Sequence, residues 1–115
     1  MSDAKSPICL LYTCWPDTER AEAAARVLLD EKLIACCNIL PPGKSIYVWK
    51  DAVQCEPEII AFFKTSQKRS RLVRDRLLAL HPYDEPAIIE VSTQTDASAP
   101  GFVEWVNATV RDPVE

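Results

Sequence analysis

The chain has 115 residues and a mass of 12.9 kDa, enough for one hydrophobic core and too little for a cofactor domain beside a substrate domain. Apolar residues at 48% and charged residues at 26% exclude a disordered or low-complexity polymer. Asp and Glu outnumber Lys and Arg by 17 to 13, so a formal charge of −4 gives the chain as a whole no attraction to nucleic acid or to anionic membranes.

Residues 1–7 read as a short polar tail and residues 8–115 as a single domain. The tail carries no apolar export stretch, and no run approaches the roughly 18 apolar residues of a membrane span, so a cytoplasmic protein is expected. Cys9, Cys14, Cys36, Cys37 and Cys55 are odd in number and irregularly spaced, which argues for reduced thiols rather than a disulfide framework. The triplet Asn107-Ala108-Thr109 has the glycosylation pattern but falls inside an expected helix, so it carries no such meaning.

Ile8 to Cys14 is an almost unbroken apolar run, as in an interior strand. After Trp15-Pro16, Ala21, Ala24, Ala25 and Leu28 recur at helical spacing, with Asp17 or Thr18 as the N-cap and Lys32 near the negative end. Leu33 to Leu40 reads as a second strand, interrupted by Pro41-Pro42-Gly43 and resumed over Ser45 to Trp49; the prolines mark a bulge. Lys50-Asp51-Ala52 permits a tight reversal into a strand over Val53 to Thr65. Leu72, Val73, Leu77 and Leu80 predict a helix over Gln67 to Leu80, closed by His81-Pro82. Pro86 to Val91 is a last strand, and Phe102, Trp105, Val106 and Val110 a last helix, with Pro100 near its start.

The order is that of an α+β, ferredoxin-like βαββαβ sandwich with an extra C-terminal helix and a long hairpin between the second and third strands. At about 3.3 Å per residue each hairpin arm reaches some 40 to 55 Å, whereas a compact chain of this length has a radius of gyration near ~13 Å. The hairpin therefore overhangs its domain, and an overhang bearing Tyr47, Val48 and Trp49 requires cover from another subunit. A closed homo-oligomeric ring is expected.

Several residues invite chemistry, each beside a plainer role. His81, the single histidine, either caps and packs at a helix end or binds a ligand. Cys14, at the carboxyl end of the first strand, offers a partly exposed thiol for a soft ion such as copper(I), although no cysteine cluster supports a closed zinc site. Cys36 and Cys37 are consecutive on a strand, point to opposite faces, and read as core with Cys9. Lys64 either holds an anion or extends its ammonium to water; Trp49, Tyr47 and Tyr83 either line a pocket or pack at a subunit contact. Between Lys64 and Arg76 six cations face one anion, the only hint of nucleic acid, yet the aromatic strand motif of RNA-reading sheets is absent and a solvated helix face suffices. No phosphate loop, nucleophile elbow or zinc-protease pair occurs, so an enzyme is not expected.

The strung-together pieces Lys32-Leu33-Ile34-Ala35-Cys36-Cys37-Asn38-Ile39, Ser45-Ile46-Tyr47-Val48-Trp49, Phe63-Lys64-Thr65, His81-Pro82-Tyr83-Asp84-Glu85-Pro86 and Trp105-Val106 resemble the CutA family of divalent-cation tolerance proteins, from about Ile8 to Val110. The resemblance implies a homotrimer with the hairpin reaching onto its neighbour, a role in tolerance of divalent ions, and weak binding of copper or another divalent ion through His81 and Cys14. It also departs from the family: the family's cysteine falls on Thr13, and Leu80 replaces one of its two histidines. Trp49, Lys64, His81 and Tyr83 carry over, with Tyr47 beside them, and suit a crevice between subunits. A trimeric sensor of a small anionic metabolite, as in PII-like proteins, and a non-catalytic scaffold are the alternatives.

Overall fold

The computed structural model describes residues 4–110. β1 (Ile8–Trp15) runs one residue further than its apolar pattern predicts and lies inside an antiparallel sheet, between β4 (Ala52–Ser66) and β5 (Ile88–Ser92). β2 (Cys36–Ile39) and β3 (Gly43–Trp49) pair in succession with β4, giving the sheet order β2-β4-β1-β5 with β3 prolonging the β4 edge. The expected second strand is shorter than predicted. Leu33, Ile34 and Ala35 are buried in a connection instead, which reaches β4 only at its end, where the Ala35 N–H donates to Lys64 O at 2.9 Å. The Pro41-Pro42 break separates β2 from β3 as expected.

Asp17 caps α1 (Thr18–Asp30), its extended backbone placing the carboxylate to accept from the Arg20 N–H at 2.8 Å. The helix ends in a left-handed Lys32 (φ 62°), where the Lys32 N–H donates to Leu29 O and the Leu33 N–H to Leu28 O, a closure usually built on glycine. The second predicted helix begins as a 3₁₀ turn (Gln67–Arg69) and becomes α2 (Ser70–Leu80); α3 (Pro100–Thr109) starts on its proline. Asn107, inside α3, is 2% exposed, which settles the glycosylation triplet as an accident of sequence.

Side-chain alternation gives the sheet two unlike faces. Leu11, Trp15, Ile59, Ala61 and Phe63 meet Ala21, Ala24, Ala25 and Leu28 of α1 and Val73 and Leu77 of α2 in the main core. On the other face α3 covers one end, packing Val103, Val106 and Val110 on Ile8 and Ala35. The rest of that face, including Tyr12, Ile60, Phe62 and Lys64, is only half-buried, and Ile89 and Val91 beside it are exposed.

Beyond the Trp15↔Ile59 pair, β4 leaves its neighbour β1 and continues with β3 alone. Pro57 sits where β4 has a free edge, the setting in which a strand tolerates proline. Lys50 (φ 50°) and Asp51 (φ 64°) form a two-residue turn of mirror-image type, whose twist matches that of the strands it joins. The ribbon explains dimensions of 48 × 29 × 23 Å and a radius of gyration of 15.0 Å, above the ~13 Å of a compact chain. Near its tip Ile46, Val48, Trp49 and Val53 are 60–74% exposed.

Candidate functional site

Where the ribbon leaves the domain, Glu58 becomes the hub of a polar cluster. One carboxylate oxygen accepts from the Ser45 hydroxyl of β3, and the other accepts from the Tyr83 hydroxyl at 3.3 Å. Burial, then the Glu58 charge, pushes the Tyr83 phenol up to about 12. Tyr47 is raised by desolvation and by a hydrogen bond to Glu56, so a second carboxylate stands one alternation further along β4. Neither Glu56 nor Glu58 makes an ion pair among the described residues, and the cluster is accordingly a place of negative potential.

Cys14 and Tyr12 share the sheet face that leads to Glu58. The Cys14 thiol donates to the Tyr12 hydroxyl at 3.3 Å. The expectation of a partly exposed thiol is corrected: Cys14 is 7% exposed, and desolvation, aided by the Glu58 charge, raises its pKa despite the Tyr12 bond. Thr13, one residue back, points into the core. Its hydroxyl donates to Ala61 O at 2.8 Å and accepts from the Trp15 indole N–H at 2.6 Å. The position at which the resemblance expects a cysteine is thus a buried hydrogen-bond junction.

His81 is 8% exposed and stacks on Trp15 with ring centroids 4.2 Å apart. Its Nδ1 accepts from the Tyr83 N–H at 3.1 Å, so the other nitrogen carries the hydrogen and Nε2 donates to Cys14 O at 2.7 Å. Desolvation lowers the imidazole pKa, against the opposing pull of the Cys14 carbonyl and Glu58. Both nitrogens are engaged in fixing the loop after α2, the capping role that the sequence offered. Because Trp15 and Cys14 alternate along β1, the ring and the thiol lie toward opposite faces of the strand. Among the described residues no three His, Cys, Asp or Glu side chains gather closely enough to hold one metal ion.

The structure therefore brings Cys14, His81, Tyr83 and Tyr47 to one region and leaves two other expected residues away from it. Lys64 lies six residues along β4 from Glu58, roughly 20 Å at strand rise, with its ammonium 5.2 Å from the Phe102 ring. Trp49 is at the ribbon tip, as far in the other direction. Tyr12, Ser45, Glu56 and Glu58 were not singled out from the sequence. The signal was two glutamates flanking Pro57 just before the apolar run of β4, where a strand passes from water into the core. The basic α2 face is solvated and partly neutralised, Arg76 by a bidentate pair with Glu31 and Arg74 by Asp75. All five cysteines are free thiols. No helix among the described residues is long and apolar enough to cross a membrane.

An antiparallel sheet, helices packed on its inner face and an overhanging two-stranded ribbon define a small mixed α/β domain of a recognisable kind. Residues 9–109 match the model of the CutA1 divalent ion tolerance proteins, and the chain belongs to that family. It is 35% identical over 97 residues to the divalent-cation tolerance protein CutA of Pyrococcus horikoshii, covering 84% of this chain and 92% of that protein. The crystal structure of CutA1 from Ehrlichia chaffeensis superposes with a TM-score of 0.86 at 36% identity, over 92% of this chain and 97% of its own. That of the periplasmic CutA from Archaeoglobus fulgidus gives 0.84 at 32% identity, over 90% and 99%.

Proposed function

We propose that the protein is a homotrimeric, non-catalytic binding protein of the cytoplasm, ferredoxin-like in topology, that takes part in tolerance of divalent metal ions by meeting them weakly at the Glu58 cluster. The observation that carries this reading is the convergence of Ser45, Tyr47 and Tyr83 on two carboxylates that have no cationic partner among the described residues, with Cys14 and His81 near enough to feel the Glu58 charge. Membership of a divalent ion tolerance family agrees with such a site. Among the described residues fewer than three His, Cys, Asp or Glu side chains gather closely enough to hold one ion; phenol and carboxylate oxygens suit a weakly held ion, and copper gains further from His81 if the Tyr83 N–H bond yields, or separately from the Cys14 thiol on the other face of β1. The ribbon supports an assembled state, since its apolar tip is uncovered among the described residues, and the family resemblance makes that assembly a trimer.

Isothermal titration with copper(II) tests the reading on the unaltered protein, Glu58→Gln and His81→Ala. Weaker binding in Glu58→Gln supports the cluster, and weaker binding in His81→Ala extends it to the imidazole. Superimposable curves for all three remove it. Light scattering tests the assembly, expected at three times the 12.9 kDa chain mass. A second reading rests on Lys64, which makes no ion pair among the described residues and stands on the open sheet face. With Trp49 of a neighbouring chain it forms a seat for a small anionic metabolite, and thermal shifts with anions but not metals would favour it. Silence toward both classes would leave a scaffold.

A further inference from the structure

On the helix-covered side of the sheet, away from the Glu58 cluster, a recess of about 100 Å³ opens between α2 and the β1–β5 pair. Leu11, which is 1% exposed, and Ile88 make its apolar floor. Ser70, Arg71 and Arg74 of α2 form one wall, the two guanidinium groups three residues apart and hence on one side of the helix. Glu90 of β5, the register partner of Leu11, stands on the opposite wall.

The charges across this recess are opposite yet do not meet. Arg71 and Glu90 make no ion pair among the described residues, and Arg74 pairs only with its chain neighbour Asp75 at 2.9 Å. Glu90 lies near the fully buried Cys9, whose thiol donates to Ser66 O at 3.9 Å and whose pKa is pushed up to about 12 by burial and then by the Glu90 charge. Ser70 donates its hydroxyl to Gln67 O at 3.0 Å, which leaves the oxygen lone pairs as acceptors. The recess thus presents two guanidinium groups and the Ser70 oxygen on one side, a carboxylate on the other and hydrocarbon beneath. Its volume is about a third of the smallest drug-sized pockets, which limits an occupant to a few heavy atoms.

We propose that this recess binds a small zwitterion, an α-amino acid with a side chain no larger than that of alanine. Its carboxylate lies on Arg71 and Arg74, its ammonium group faces Glu90 and the Ser70 oxygen, and its methyl group rests on Leu11 and Ile88. A guanidinium matches a carboxylate in shape and charge. Neither a simple anion nor a simple cation satisfies both walls, because each leaves one charge facing its own sign or facing nothing. The site is independent of the cation cluster, which occupies the other face and the far end of β1.

The test is a ¹H–¹⁵N NMR titration of the intact protein with L-alanine, propionate, ethylamine and inorganic phosphate as probes, repeated on Arg71→Ala and Glu90→Gln. Alanine is expected to saturate in the millimolar range and to move the amides of residues 70–74 and 88–90. Propionate and ethylamine should bind at least about tenfold more weakly, since each forgoes one charge-assisted contact. Arg71→Ala, an exposed change, should abolish the alanine response, and Glu90→Gln should remove the preference for alanine over propionate. Absence of saturation by alanine, shifts elsewhere, or propionate or phosphate binding as well as alanine would each overturn the proposal.

Discussion

β4 is one continuous strand in two environments. From Ile59 to Ser66 it is flanked by β1 and β2 and roofed by two helices, and Ile59, Ala61, Phe63 and Thr65 are 0–4% exposed. From Ala52 to Pro57 it has only β3 beside it and is mostly exposed, although Val53 and its neighbours Ile46 and Val48 are as apolar as the residues of the inner half. The difference separates two uses of hydrophobic side chains. The inner half stabilises the fold within one chain. The outer half contributes little until something covers it, for a lone two-stranded ribbon is marginal in water.

A paired substitution breaks this comparison most directly. Phe63→Ala opens a cavity under both helices and should cost about 3 to 5 kcal/mol in urea unfolding. Val53→Ala, at the ribbon, should change the stability of a dilute, dissociated chain by less than about 0.5 kcal/mol. Equal losses would mean that the ribbon is held within its own chain after all. Ile46→Asp sharpens the same contrast from the assembly side. A charge placed on the tip should shift sedimentation toward a 12.9 kDa particle with unchanged far-ultraviolet dichroism. Retention of the assembly would move the subunit contact away from the ribbon.

The same division governs what the sequence reveals. Inside the domain, period and burial coincide: Ala21, Ala24, Ala25 and Leu28 announce α1, and the apolar runs at Ile8 and Ile59 announce the two central strands. Leu33 to Ala35 misled because burial alone does not distinguish a strand from a packed connection. At the candidate site, His81, Cys14, Tyr83 and Tyr47 stood out by residue type, but their common partner did not. Glu58 is an ordinary glutamate in the sequence, and only the pairing of β3 with β4 and the return of the chain after α2 bring Ser45 and Tyr83 onto it. The tautomer of His81 was equally hidden, since it depends on a backbone N–H two residues on and a carbonyl 67 positions away.

The ribbon turn allows a smaller adjustment. Lys50 and Asp51 both occupy left-handed conformations that disfavour residues with a Cβ, and Asn-Gly is the pair that this turn prefers. Lys50→Asn with Asp51→Gly should stabilise the protein by roughly 1 kcal/mol. A gain seen in the assembled protein and absent after dilution would show that the ribbon becomes ordered only when covered. A gain independent of concentration would show that β3 and β4 zip together first.

The smallest expected effect lies back on the covered half, where the Glu31–Arg76 pair at 2.7 Å staples α1 to α2. The hydrogen bond from Arg76, with its charge, holds the Glu31 carboxyl below its usual 4.5. A carboxyl depressed in the folded state binds fewer protons than in the unfolded chain, so its contribution is present above about pH 4.5 and is lost as pH falls through the lower folded value. Glu31→Gln should therefore flatten the acid limb of the stability profile while leaving the assembly intact. Because both side chains are about a third exposed, 0.5 M salt, a ~4 Å screening length, should shrink the difference between variant and parent. An acid limb that survives the substitution unchanged would place the pH sensitivity elsewhere, with the carboxylates at the root of the ribbon next in line for replacement.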